Sequence, residues 1–487
     1  MLEQEEGRSG FGQLTRESLI YASGAAVGKL IGFLMLPVLT RFLEPAEYGR
    51  LDLLSTLGSA AISALLLGFD VAVVRIASDR DATPAARRTL FGTWALIASI
   101  LTVPVAAVIV LLSAPISTAL FGSTDWAIGV SQVGLITVFG TYQVMALTLL
   151  RIERRPRAYA ATSAGTLLVN AVLAVILLVT WRPDSASVLV ALTVSLAIGA
   201  AAGMTLVGWN AFGRPAIAAA QSLVRLGLPL APAVVAVWAG EFLNRTILLG
   251  MSNAEELGYL SVALRFGSIV GLAVVGFQLA WQPRAYALGT APASLARIGL
   301  DGRGIIVAVA SVVVVIAAFS PEAISVLAGN RYQGATAALG WVLVSQLGAA
   351  GFLVLSMPSS LARRFWHLGI AGVIGVGFSL AINLLTVGSM GASGTALALA
   401  SGQCLAAAGV WLLGRNAVRI PFRLPWTVAV LIGAAIYAVV VTSVGASTSV
   451  LARVVGLGAF GALVLVDGTA WGIVGTMRKG HDRAAGD

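Results

Sequence analysis

Long apolar runs, separated by short segments that carry most of the charges, fill the chain from residue 17 to residue 476. They fall at roughly 17–43, 50–75, 89–113, 128–150, 158–181, 185–209, 226–250, 258–283, 304–320, 338–361, 367–389, 391–414, 426–445 and 448–476. A membrane-crossing helix needs about 20 consecutive apolar residues. The pattern therefore predicts an all-α integral membrane fold with about fourteen transmembrane helices. The run at 391–414 is rich in Gly and Ala, which suits close packing against neighbouring helices.

Composition narrows the class. Of 487 residues, 58% are hydrophobic and 11% charged, with a mean hydropathy of +0.93. A soluble domain carries about 25% charged residues, so this chain cannot clothe a soluble surface of its size. The two Lys, Lys29 and Lys479, lie outside any GxxxxGK[ST] loop, which excludes an ATP-binding P-loop. Two His, His367 and His481, and one Cys, Cys404, exclude a zinc site or disulfide framework within one chain. Neither enzyme chemistry nor a cofactor or metal is expected. The polar start MLEQEEGRSG leads into no short apolar stretch with a small-residue cleavage site, so the first apolar segment should remain as a helix.

The net charge of +10 would suggest nucleic acid in a soluble protein. The placement of the cations argues otherwise. With the N-terminus in the cytoplasm, 23 of the 31 Lys and Arg fall in inside segments and five in outside segments. That asymmetry obeys the positive-inside rule and predicts a cell-membrane protein with both termini cytoplasmic and no nucleic-acid partner. Lys29, Arg245 and Arg265 remain within the apolar runs.

An internal repeat organises the runs. LTRFLEPAEYGRLDLL at 39–54 aligns with LLGMSNAEELGYLSVA at 248–263 at an offset of 209, matching Leu39, Glu47, Gly49 and Leu51 to Leu248, Glu256, Gly258 and Leu260. The same offset sets Arg75 on Arg284. Six helices separate the copies, and an even number makes the repeats parallel, with substrate expected between the halves. The expected organisation is a cytoplasmic tail (1–16), a six-helix lobe (17–209), a cytoplasmic linker (210–225), a second six-helix lobe (226–414), a cytoplasmic loop (415–425), an appended helix pair (426–476) and a cytoplasmic tail (477–487).

The segment RESLIYASGAAVGKLIGFLMLPVLTRFLEPAEYGRLDLL at 16–54 resembles the start of Wzx-type polysaccharide flippases of the multidrug/oligosaccharidyl-lipid/polysaccharide exporter superfamily. The core of the match is LPVLTRFLEPAEYG at 36–49, in which Arg41 and Gly49 fit the opening pattern; in the second half, AEELGYLSVALRF at 254–266 fits best. The resemblance implies translocation of an undecaprenyl-diphosphate-linked oligosaccharide from the inner to the outer leaflet through a central cationic cavity, with the lipid tail left in the bilayer. It also implies a polysaccharide polymerase and glycosyltransferases as partners in the same process, membrane lipids as surroundings, and H+ or Na+ as candidate coupling ions. A lipid II flippase and a cation-coupled multidrug exporter of the same superfamily are the alternatives.

Flipping breaks no bond; its barrier is the passage of hydroxyls and phosphates through hydrocarbon. Each unpaired hydroxyl costs about 2–7 kcal/mol to desolvate. Charges within apolar runs are therefore the best pointers to a polar path. Lys29 lies twelve residues into the first run, near the midplane; Glu241, Asn244 and Arg245 lie in the seventh; Arg265 lies in the eighth. The functional expectation is a substrate site of Lys29, Arg245, Arg265, Glu241 and Asn244, with Glu241 as the single acid beside three cations, suited to a diphosphate. The opposing expectation is that Glu241 and Arg245, four residues apart, simply pair. Asp70, Arg75, Gln278, Gln282 and Arg284 are expected to form a cytoplasmic vestibule, although topology marking alone would explain the arginines.

Overall fold

The computed structural model describes residues 28, 30–79, 83–229, 231–444 and 450–466. Both terminal tails, most of the first predicted helix before Leu30, Lys29 and the end of the last predicted helix lie outside them. Every regular element among the described residues is helical. The chain divides into two compact units, Met1–Thr246 and Ile247–Asp487.

The described helices of unit 1 are α1 (Leu36–Phe42), α2 (Pro45–Leu66), α3 (Phe69–Ala77), α4 (Pro84–Leu111), α5 (Ser113–Phe121), α6 (Ala127–Ile152), α7 (Pro156–Thr180), α8 (Ser185–Val207), α9 (Ile217–Gly227) and α10 (Ala231–Met251), the last crossing the boundary. Pro45, Pro84 and Pro156 start their helices. There the missing N–H costs nothing and the fixed φ favours the first turn. The single run predicted at 50–75 is broken into α2 and α3 by a 46° bend. Leu67 and Gly68 both adopt left-handed φ there, 49° and 70°. The expected linker at 210–225 contains α9, whose Gly227 lies close against Phe69. The chain before α9 is tied to α4: Gly213 N donates to Arg88 O at 2.7 Å and Ala216 N to Thr93 Oγ1 at 3.0 Å.

Unit 2 contains α11 (Ala254–Leu288), α12 (Pro292–Leu327), α13 (Ala335–Leu355), α14 (Met357–Leu361), α15 (Trp366–Gly414), α16 (Leu424–Val444) and α17 (Val450–Val466). A straight helix of 49 residues would run about 74 Å, more than twice the hydrocarbon thickness. The turn comes at Gly391, whose φ of 53° and ψ of −129° leave helical space. The two halves then fold onto each other: a Cβ on Gly375 would lie 2.6 Å from Gly402 O, and one on Gly402 would lie 2.5 Å from Gly375 O. The runs at 367–389 and 391–414 are thus a helical hairpin closed by small residues. At the far end of the chain, buried Arg453 of α17 binds Glu322 of α12 bidentately at 2.8 and 2.7 Å and also donates to Ala318 O. Sequence placed Arg453 among the outside cations; in the fold it anchors α17.

Among the described residues, ten helices are long and apolar enough to span a membrane, or eleven with the bent α2–α3 pair. The Gly391 hairpin adds one. The short apolar helices Leu30–Phe42 and Leu451–Val464 abut residues outside the described set. The expected fourteen is therefore consistent with the fold. The repeat is visible in structure as well. Helical segments begin at Pro45, Pro84, Ala127, Pro156 and Ser185 in unit 1, and at Ala254, Pro292, Ala335, Trp366 and Ala392 in unit 2, 207 to 210 residues later.

Gly402→Leu should collapse the α15 hairpin, because overpacking costs about 1–3 kcal/mol and the facing atom is backbone. Gly377, where an added Cβ would meet nothing within 4 Å, should accept Leu. Size-exclusion chromatography in detergent should show a reduced monodisperse peak for Gly402→Leu and a normal one for Gly377→Leu.

Candidate functional site

The apolar surroundings of α10 make its charged residues conspicuous. Glu241 and Arg245 share a face one turn apart, and the Arg245 Nη1 donates to Glu241 Oε2 at 2.6 Å and to Glu241 O at 3.0 Å. A second carboxylate completes the group: Arg245 Nε donates to Asp52 Oδ2 on α2 at 2.7 Å. Asp52 lies seven residues after Pro45, about 10 Å along α2, and Arg245 six residues before Met251, about 9 Å from the end of α10. The ion pair crosses from α10 to α2 within unit 1.

Burial differs sharply among the three side chains. Arg245 is 9% exposed, Asp52 20% and Glu241 41%. Asp52 is therefore the enclosed partner and Glu241 the accessible one. The acid expected at this site, Glu241, is joined by a second, Asp52. Sequence inspection passed over Asp52 because it sits at the polar edge of its run, two residues after Arg50. The repeat alignment did contain it, since LDLL at 51–54 falls on LSVA at 260–263, leaving Asp52 without an acidic counterpart. Asn244 is buried and donates to Gly240 O at 2.9 Å, back along its own helix.

The remaining expected residues are distributed as follows. Lys29 lies outside the described residues. Arg265 lies on α11 in unit 2 with an exposed side chain. Asp70, half-buried in the first turn of α3, and exposed Arg75 in its last turn form no ion pair with each other among the described residues. Gln278 and Gln282 lie on α11, as does Arg284, whose Nε is 3.9 Å from Asp301 of α12; Arg297 reaches the same Asp301 at 3.1 Å. Several uncharged polar groups bond between neighbouring helices: buried Gln143 to Thr166 at 3.0 Å, buried Thr395 to Asn383 at 2.8 Å, and half-buried Ser99 with Tyr142 at 2.7 Å. Among the described residues no group of three or more His, Cys, Asp or Glu is placed to hold a metal.

The family model described as polysaccharide biosynthesis protein matches residues 14–285, more than half of the chain. The chain belongs to this polysaccharide biosynthesis family. The opening segment at 16–54 lies within the matched region, as do Asp52, Glu241 and Arg245. Among solved structures, the chain is similar to the lipid II flippase MurJ in an inward closed conformation, with 10% identity, a TM-score of 0.67, and 94% of this chain and 98% of that one covered. It is similar to an inward-facing multidrug resistance MATE transporter of the MOP superfamily, with 15% identity, a TM-score of 0.57 and coverage of 82% and 97%. A Vibrio cholerae MATE transporter gives 15% identity, a TM-score of 0.59 and coverage of 84% and 97%. No curated protein matches the chain. The chain is thus a multi-pass membrane protein of the polysaccharide biosynthesis family, with a fold shared with a lipid II flippase and MATE transporters. These structural neighbours are a flippase and transporters.

Removing one partner from a buried ion pair costs about 3–5 kcal/mol, whereas an exposed pair contributes about 0–1 kcal/mol. Asp52→Ala should therefore lower the melting temperature in detergent more than Glu241→Ala does. Equal or reversed shifts in a thermal denaturation series would contradict the division into enclosed and accessible acids.

Proposed function

We propose that this protein flips an undecaprenyl-diphosphate-linked oligosaccharide from the cytoplasmic to the outer leaflet of the cell membrane, for surface polysaccharide synthesis. The observation that carries this reading is the family match over residues 14–285 on a fold shared with a lipid II flippase. In the same reading both termini are cytoplasmic, glycosyltransferases supply the lipid-linked glycan, and a polymerase consumes it. The cycle is alternating access between two repeat lobes.

Arg245 is the proposed diphosphate ligand. Its planar guanidinium suits bidentate bonding to phosphate oxygens. Phosphate would take the place of the accessible Glu241, while enclosed Asp52 keeps the side chain oriented. Lys29 and Arg265 are proposed as further cations along the path, and Asp70, Arg75, Gln278, Gln282 and Arg284 as the entry vestibule. H+ and Na+ are the candidate coupling ions.

A second reading, a cation-coupled multidrug exporter, is supported by the fold shared with multidrug resistance MATE transporters. Deletion of the gene separates the two. Accumulation of a lipid-linked glycan intermediate supports the flippase; unchanged lipid pools with raised sensitivity to cationic drugs support the exporter.

A charge-assisted hydrogen bond contributes about 1.5–3 kcal/mol, so Arg245→Ala should lower surface glycan about tenfold or more at equal membrane protein level. Arg245→Lys should retain part of the activity, and Arg75→Ala should stay within about twofold of the parent. Greater loss in Arg75→Ala than in Arg245→Ala, in a complementation assay, would move recognition to the vestibule.

A further inference from the structure

Within the aligned segments 39–54 and 248–263 the charged identity is Glu47 with Glu256, and the fold uses the two side chains alike. Each occupies the third helical position of its helix, three residues after the N-caps Glu44 and Asn253. A glutamate at that position commonly turns back to its own N-cap N–H. Here each reaches across to another helix of its own unit. In unit 1, Ser185 N, the first residue of α8, donates to Glu47 Oε2 at 3.2 Å. In unit 2, Ala392 N, the first residue after the Gly391 turn, donates to Glu256 Oε2 at 2.7 Å.

The electrostatics explain the choice of a carboxylate. The first N–H groups of a helix lack intrahelical partners, and their dipoles give the N-terminus a partial positive charge. Two such ends meet in each unit, those of α2 and α8, and those of α11 and the second half of α15. One carboxylate between them satisfies an orphan N–H and offsets the repulsion of both ends. Two further start-of-helix donors are served locally: Asp184 accepts from Ser187 N and Asn253 from Glu256 N. In unit 2 the contact also fixes the hairpin residue, since a Cβ on Gly391 would stand 2.4 Å from Glu256 Oε2.

We propose that Glu47 and Glu256 are duplicated clasps, positioning residues that bind the start of the last helix of each repeat to the start of its second helix. Each clasp makes those two helices one rigid element within its own unit. Alternating access by rocking of whole repeats requires internally rigid repeats, and the clasp secures the seam where the connection into the last helix would otherwise leave it loose. The proposal stands on the hydrogen bonds and the repeat register, independently of which substrate is carried.

Hydrogen–deuterium exchange of the full chain in detergent tests it directly. Glu47→Ala should speed exchange about tenfold or more in peptides containing Ser185 and leave those containing Ala392 unchanged. Glu256→Ala should do the converse. Glu47→Gln and Glu256→Gln retain an acceptor oxygen and should stay within about threefold of the parent chain. Unchanged exchange in both Ala variants would overturn the clasp, and so would acceleration spread evenly over the whole unit. Glycan export offers a separate arm that rests on the proposed flippase activity: Ala variants should lose export at equal protein level and Gln variants recover it. Local exchange effects without any export phenotype would leave the clasps as structural features and overturn their part in the cycle.

Discussion

Hydrocarbon offers no hydrogen bonds, so each charge and each helix end placed in it must find its partner inside the protein. That constraint organises the described structure. Arg245 lies between Asp52 and Glu241, Arg453 is clamped by Glu322, and the starts of α8 and of the second half of α15 are met by Glu47 and Glu256. Buried amides and hydroxyls find one another across neighbouring helices, as Gln143 and Thr166 do. The Asp52–Arg245, Glu322–Arg453, Glu47–Ser185 and Glu256–Ala392 contacts join helices distant in sequence. The same pairs that make burial tolerable therefore also hold each bundle together.

Pairing and function meet at Arg245. A cation with two equally enclosed acids would be a fixed strut. A cation with none would be too costly to keep in the apolar span. The intermediate arrangement, one enclosed acid and one accessible acid, keeps the guanidinium charged and aimed while leaving one side exchangeable. This is the property that the proposed binding and release of a phosphate at Arg245 requires. The duplicated clasps supply the complementary property, rigidity within each repeat.

Much of the fold was legible in the apolar runs, because span length is set by bilayer thickness and not by tertiary detail. The break between 389 and 391 was visible as two adjacent runs, and the structure supplies its cause in Gly391. The bend at Leu67–Gly68 was not visible, since both flanks are apolar and the break lies in backbone dihedrals alone. Arg245 and Glu241 stood out as charges in hydrocarbon. Asp52 did not, because its meaning comes from a residue 193 positions away. The 209-residue offset revealed Glu47 and Glu256 as equivalent positions, but their shared bonding partners become apparent only when helix starts are brought together. The cations expected beside Arg245 were inferred from depth alone, which cannot reveal carboxylates arriving from another helix.

The central claim is that this chain moves a lipid-diphosphate-linked glycan across a bilayer. Reconstitution of the purified chain in liposomes tests it most directly. Lipid-diphosphate-linked oligosaccharide is extracted from the deletion strain and placed in the vesicles, and its availability to an externally added, membrane-impermeant glycosidase is followed over time. The account predicts that cleavage passes from about half of the glycan in protein-free vesicles to nearly all of it when the chain is present, and that Arg245→Ala abolishes the gain. Cleavage that stops at the protein-free level with the parent chain in place would contradict it.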